Sequence, residues 1–583
     1  MAKPPKIAAA ARRERQSLLL WLGAVLLLCA LPFANRDLAA GHDALFHLLR
    51  IEGLAQALRG GAGWPQPVYA LLCGGYGYAA GLFYPDVLLL PAALVRAAGV
   101  GPELAFKFAF LFYALLAALT AYAAGRGITR SHRGGLLLMV LYSLSQYHFA
   151  NLFIRSALGE VQAMAFLPLV VWGLYDLTEQ GFQKPWVLGA GFAGLLLTHT
   201  ISLTLCGLFA VGWCLCRLPR LLHPRILARL AAAAGVCLLL GCYYWAPMLE
   251  QFGSDTFRVT TRPLTALRFN TVPLADYLNP GNYQAPGVTG FVLPLAAAAL
   301  LLSARRRGSA AAGDRRLAAA LLAAGVLLGL APLAGVFPWQ LLDKTFLTSV
   351  QFPWRLNMLS QFCLSLAVAL PGAALLQPAK NAAAPGKDAA PARRWLPAAA
   401  VALAFGVSAL GFGFQWGSLP ALVNYPDNYF TSQRGETFYL VGQEWVPDGV
   451  DITAFAFEPD AQYTDVRGAH TGAYRPNGAF TFAFDGTPGL YGIPKLYYKG
   501  YTARWQGADG QSLTLPLHKD GAGRVELSVP AGLGAGTVTV RYTGTAVQHA
   551  SAAVSLLTAL GLAGWVFARR KKTTKDDASA TQT

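Results

Sequence analysis

The sequence predicts a polytopic α-helical membrane protein of about twelve crossings, with a C-terminal extracytoplasmic β-sandwich domain. Composition is the first observation behind this. Of 583 residues, 55% are hydrophobic and 13% charged, with a mean hydropathy of +0.41, whereas a soluble globular chain carries about 25% charged residues. Half the usual charge cannot cover a 62 kDa soluble surface, which excludes a cytosolic enzyme. The same numbers exclude a disordered chain. Second, apolar runs of membrane-spanning length recur along the chain. Third, segment 417–548 turns to Thr, Tyr, Gly and Asp in short alternating runs.

The first apolar run, Ser17–Phe33, follows Lys3, Lys6, Arg12, Arg13 and Arg15. It is too long for the core of a cleaved signal peptide, so it reads as an uncleaved helix with a cytoplasmic N-terminus. Further runs lie at 80–98, 104–124, 134–150, 162–175, 186–216, 228–248, 288–303, 316–335, 356–377, 395–416 and 549–568. Five basic segments, 125–133, 217–229, 304–316, 378–394 and 569–583, are expected in the cytoplasm. Parity then requires that 80–98 not cross. Run 186–216 has Lys184 and Arg217 at its ends. As one helix it would be roughly 46 Å long against a core of about 30 Å, so two short crossings with an outer corner at Thr198-His199-Thr200 fit better. In this topology the cytoplasmic segments hold 27 of the 47 Lys and Arg but 7 of the 29 Asp and Glu. The net charge of +18 is therefore a positive-inside signal and no hint of nucleic acid. Of eight cysteines, none falls in 417–548, and neither a disulfide framework nor a zinc spacing is present.

The expected division is a transmembrane domain over 1–416, with interfacial helices in its first outer loop 35–103, a β-rich domain over 417–548, a last crossing at 549–568 and a basic tail at 569–583. Strand signals in the β-rich part include Ala479–Phe484, Val525–Val529 and Thr537–Tyr542, where apolar residues alternate with polar ones.

Candidate chemistry collects at the outer side. In Gly41–Leu54, residues Asp43, His47 and Arg50 share one face of an amphipathic helix that should lie along the membrane surface. They either pair among themselves or present an acid that deprotonates or orients a hydroxyl. Asp37 is the weaker acid candidate. Gly74-Gly75-Tyr76-Gly77-Tyr78 and Phe83-Tyr84-Pro85-Asp86 suit a close-packed turn with aromatic walls. Arg155 and Glu160 flank a short outer turn, free to pair with each other or to hold a phosphate. His199 marks the outer corner. Arg355, after Phe352-Pro353-Trp354, is placed either to bind a lipid-linked phosphate or to anchor the interface. No Walker A, GxGxxG, GxSxG or HExxH signature is present.

The order of these motifs, from the first-loop acid through Gly-Tyr-Gly-Tyr, Phe-Tyr-Pro, Arg155–Glu160 and Phe352–Arg355 to Tyr497-Tyr498-Lys499-Gly500-Tyr501, resembles bacterial membrane proteins labelled 6-pyruvoyl-tetrahydropterin synthase-related. These are YfhO-like and similar to the GT-C class of integral-membrane glycosyltransferases. The resemblance implies a bacterial inner-membrane enzyme moving sugar from a polyprenyl-phosphate donor to a glycan, lipid or cell-envelope acceptor on the outer face. It implies catalytic roles for Asp43, His47 and Glu160, and substrate or phosphate binding by Arg50, Tyr84, Arg155, His199 and Arg355. The first loop lacks an Asp-x-Asp, which leaves a divalent metal open, and Asp86 stands where the family pattern has a proline. A transporter or flippase for lipid-linked saccharides, or a non-catalytic envelope assembly protein, is the alternative.

Overall fold

A computed structural model describes residues 5–70, 72–261, 265–376, 392–424, 443–455 and 461–579. Among the described residues six helical spans are each long and apolar enough to cross a membrane: Ala8–Phe33, Pro102–Thr129, Leu158–Glu179, Gly287–Arg307, Pro353–Leu376 and Ala546–Val566. Two bent pairs bring the number to eight. His132–Ser143 turns by 47° into Gln146–Ile154, and Pro224–Leu240 turns by 69° into Cys242–Ser254. That is fewer than the expected twelve: Pro185–Leu196, Thr200–Leu215 and Ala312–Leu330, with the apolar stretch Ala402–Trp416, are the further helices in the expected runs. The first two are short, and Ala312–Leu330 carries Asp314, Arg315 and Arg316 in its first turns. The 186–216 run divides where expected, with Leu197–His199 between its two helices. Run 80–98 breaks into pieces, of which Leu90–Ala97 has eight residues, about 12 Å of helix and too short to cross.

Helix Asn357–Leu376 runs through the middle of the bundle, buried from Asn357 to Ala373. Small residues let its neighbours approach: a Cβ on Gly125 would lie 2.8 Å from the Gly134 carbonyl oxygen, so helices Pro102–Thr129 and His132–Ser143 meet backbone to backbone. Helix ends and turns carrying Arg126, Arg130, Arg217 and Arg220 meet at one end of the bundle, where Arg126 pairs with Glu14, Arg130 donates to the Tyr175 hydroxyl, and Arg217 and Arg220 pair with Glu179; Arg305–Arg307 end helix Gly287–Arg307. Most of the predicted basic loop 378–394 lies outside the described residues.

The other end carries the long connections and the β region. Two five-stranded antiparallel sheets form the sandwich. One runs Leu517–Lys519, Arg524–Val529, Gly489–Leu496, Gln462–Asp465, Gly468–Thr471; the other runs Ala473–Tyr474, Phe480–Phe484, Gly536–Tyr542, Tyr501–Gly507, Ser512–Leu515. Alternation puts Val525, Leu527 and Val529 of one sheet against Phe480, Phe482, Val538 and Val540 of the other. The sandwich is clamped to the first loop. Lys495 Nζ donates to the Ala70 and Gly75 carbonyls at 3.1 and 2.7 Å, and Leu496 N donates to Tyr76 O at 2.8 Å. Gly75 has φ +93° and lies so close to the Tyr474 ring that a Cβ would meet it at 2.4 Å. The Gly-Tyr-Gly-Tyr stretch is thus a docking turn for the sandwich.

Helix Ala44–Arg59 departs from expectation. It is buried almost continuously from His47 to Ala55 and does not present a solvated face. Segment 84–97 covers its polar side: Glu52 pairs with Arg96 at 2.6 Å, and Arg50 donates to the Tyr84 and Pro85 carbonyls at 3.2 and 2.8 Å.

Candidate functional site

Where the helices open toward the β region, a cavity of about 700 Å³ is lined by Asp43, His47, Tyr84, Arg155, His199 and Arg355, among others. Local backbone features bring these together from distant parts of the chain. Asp43 begins helix Ala44–Arg59, and its N–H donates to the Arg155 carbonyl at 2.8 Å. Gly41 makes this approach feasible, since a Cβ there would sit 2.3 Å from Ser156 Oγ. Ser156, at φ +52°, reverses the chain between the π-helical turn Ala150–Ile154 and helix Leu158–Glu179. That reversal folds Arg155 back over Glu160.

Glu160 is buried, and its Oε1 accepts from both Arg155 Nη1 at 2.7 Å and Arg355 Nε at 2.9 Å, while Tyr147 donates its hydroxyl to Oε2. One carboxylate therefore fixes two guanidiniums that come from positions 200 residues apart in sequence. Arg155 is further held by Asn151 Oδ1 and stacks on the Trp354 ring at 4.6 Å. Its Nη2 lies 3.7 Å from Asp43 Oδ2, and the Asp43 side chain is 35% exposed. Arg355 donates from Nη1 to Val350 O and Gln351 Oε1 at 2.7 and 2.9 Å. Its Nη2 donates to no described residue, so the arginine pair retains donors for an anion in the cavity.

His199 caps helix Thr200–Leu215, accepting from Ser202 N at 3.3 Å through Nδ1. That bond leaves the proton on Nε2. Burial pushes its pKa down to about 3, with Arg355, Arg155 and Arg50 acting in the same direction against Glu160, so the ring is a neutral donor. His47 is likewise held well below its usual pKa by burial and then by Arg50, His199 and Arg155; its Nδ1 has no partner among the described residues. The Tyr84 ring lies in the wall beside both histidines, with centroids 6.0 Å from His47 and 5.9 Å from His199. Gly159 gives it room, because a Cβ there would fall 1.6 Å from the Tyr84 hydroxyl.

Two predicted site residues stand elsewhere. Arg50 does not line the cavity: its guanidinium stacks on the Tyr84 ring at 3.9 Å, and its Nη2 donates to the 84 and 85 carbonyls. Glu160 also lies behind the wall, where it positions the arginines and is not open to a substrate. Asp37 accepts from Asn424 Nδ2 at 3.1 Å, beside the short pairing of Leu38–Ala39 with Leu422–Val423. Asp86 is buried under the first loop, accepting from Trp64 Nε1 and Gln66 N, and is not in the cavity wall.

Sequence reasoning missed Glu444, Trp445, Asp343 and Lys344, all in the lining. Glu444 and Trp445 fall within the segment read as β-rich. An acid next to a tryptophan, two residues before Pro447, was the only signal there. Among the described residues no group of three or more His, Cys, Asp or Glu is placed to hold a metal ion.

Fold and site together define a multi-pass membrane protein whose cavity combines anchored arginines with carboxylates, next to an appended β-sandwich. A model described as a family of unknown function, DUF6541, matches residues 2–272. Its description lends nothing to the pterin-synthase-related or YfhO-like labels. An uncharacterized protein from Lactococcus lactis subsp. cremoris (strain MG1363) is 24% identical over 189 residues, 32% of this chain and 30% of that one. A cryo-EM structure of the mycobacterial arabinofuranosyltransferase AftD gives a TM-score of 0.43 at 18% identity, covering 69% of this chain and 27% of that one. A mutant form of AftD gives 0.40 at 17%, covering 70% and 29%. The chain thus spans about a third or less of the length of these proteins.

Proposed function

We propose that this protein is a membrane glycosyltransferase of GT-C type, moving a sugar from a polyprenyl-phosphate donor to a glycan, lipid or cell-envelope acceptor on the extracytoplasmic face of a bacterial inner membrane. The observation that carries the reading is that Arg155 and Arg355, both anchored by Glu160, line one cavity together with Asp43 at the loop end of an apolar bundle. An isoprenoid tail would lie among the helices. Its phosphate would meet the free guanidinium donors of Arg355 and Arg155, with neutral His199 adding a hydrogen bond. Fixed positive charge of this kind stabilises a leaving phosphate without reorganisation during the reaction. Asp43, at the open side, would accept the hydrogen bond of the acceptor hydroxyl and orient it toward the sugar's anomeric carbon. Lipid phosphate is itself the leaving group, so no nucleotide is required.

The sidedness follows from charge: the arginine-rich turns lie at the opposite end and would face the cytoplasm. The test is transfer of labelled sugar from polyprenyl-phosphate pentoses and hexoses by purified protein in liposomes. Transfer is the expected result; absence of transfer from every donor would overturn the reading in favour of a transporter or scaffold.

A further inference from the structure

Besides Asp43 and Asp343, the cavity holds a carboxylate on the side of the β region, Glu444. Glu444 lies in the described segment 443–455 at the approach to the sandwich, and its backbone is tightly fixed. Its carbonyl accepts from Val259 N at 2.9 Å, and the next carbonyl but one, of Val446, accepts from Arg258 N at 3.1 Å. Trp445 is buried among Phe46, Tyr78, Phe83 and Tyr84, with ring centroids 5.6–6.2 Å away. Anchoring on both sides aims the Glu444 side chain into the cavity. There it meets Gln351, whose amide oxygen is taken by Arg355, leaving the NH₂ for Glu444.

The three cavity carboxylates have different partners, Asp343 being ion-paired with Arg268 at 3.4 Å. Asp43 is ion-paired with the anchored Arg155, whereas Glu444 has the neutral Gln351 amide and faces Asp43. We propose that Glu444 is the catalytic base of the transfer reaction, with Asp43 as the group that orients the acceptor. This rests on the glycosyltransferase reading above. In the step, the acceptor hydroxyl oxygen bonds to the anomeric carbon. The bond from that carbon to the phosphate oxygen breaks, its electron pair leaves with polyprenyl phosphate, and the hydroxyl proton passes to the Glu444 carboxylate.

The surroundings suit a proton acceptor at neutral pH. Burial raises the Glu444 pKa to about 7 and the Asp43 charge adds to this, while Arg355 and the Gln351 hydrogen bond act against it. A base is most effective with a pKa near the working pH. The other charged or titratable groups facing the cavity are His42, Tyr84, Arg155, Tyr283, Asp343 and Lys344, with His47 and His199 held neutral by burial.

The experiment compares wild type, Glu444→Gln and Glu444→Asp in liposomes, using whichever polyprenyl-phosphate sugar of the panel the wild type transfers, from pH 5.5 to 9. For wild type, kcat should rise through about pH 7 to a plateau. Glu444→Gln should lower kcat by about 10²–10⁴-fold, leave the donor KM within about threefold, and abolish the acidic limb. Glu444→Asp should recover part of kcat and the limb, which keeps the test valid if the glutamine variant folds poorly. A glutamine variant within threefold of wild type at all pH values would overturn the proposal, as would a slowed variant that keeps the limb. Absence of transfer by the wild type from every donor would instead defeat the underlying glycosyltransferase reading.

Discussion

Replacing Glu160 by Gln removes the one carboxylate that both cavity arginines share. Arg155 would keep Asn151 and the 3.7 Å approach to Asp43, and Arg355 would keep Val350 O and Gln351. The guanidiniums would thus retain hydrogen bonds but lose their buried counter-charge. A hydrogen bond to a charged group is worth about 1.5–3 kcal/mol, and two are weakened here, at 2.7 and 2.9 Å. Stripping one partner from a buried ion pair costs about 3–5 kcal/mol, in line with that sum. SDS-titration unfolding of wild type, Glu160→Gln, Arg355→Met and the double variant should show a loss of about 3–5 kcal/mol for Glu160→Gln. The double variant should be less destabilised than the sum of the singles by at least about 1 kcal/mol, since one stranded charge is gone. Glu160→Gln within about 0.5 kcal/mol of wild type, a range ordinary for surface substitutions, would refute the reasoning that this carboxylate builds the site.

Two further outcomes follow. Burial lowers Lys495 from 10.5 to about 7, so between those values the unfolded chain binds more protons than the folded one. The lysine then costs stability at low pH, and the cost disappears as pH rises toward 10.5, at about 1.4 kcal/mol per unit and up to about 5 kcal/mol in all. The difference in stability between wild type and Lys495→Met should therefore shift toward wild type from pH 7 to 9.5; a pH-independent difference would refute it. In a background without native cysteines, Arg130→Cys should resist an impermeant thiol reagent applied from outside; labelling there would invert the topology.

Much of the fold is legible because membranes impose simple rules. The 186–216 run could not be one helix within a bilayer, and it breaks at Leu197–His199. Strands around Phe480, Val525 and Val538 followed from alternation. Candidates Asp43, His47, Tyr84, Arg155, His199 and Arg355 do share a cavity. What the sequence hid was partner choice. Helical spacing placed Arg50 with Asp43, but spacing cannot reveal that segment 84–97 covers the face and takes Arg50 and Glu52. Glu444 was invisible for the same reason. Its role depends on a β-side connection folding back onto Val259 and Arg258, a contact of about 185 residues' separation that no local pattern encodes.

The central claim is that the cavity transfers sugar from a lipid phosphate, with Asp43 engaging the acceptor. It is tested most directly by measuring glycan transfer from polyprenyl-phosphate sugars in liposomes with wild type and Asp43→Asn. Transfer by the wild type and a loss of about 10²-fold or more in the variant is the predicted result; equal rates for the two proteins would contradict it.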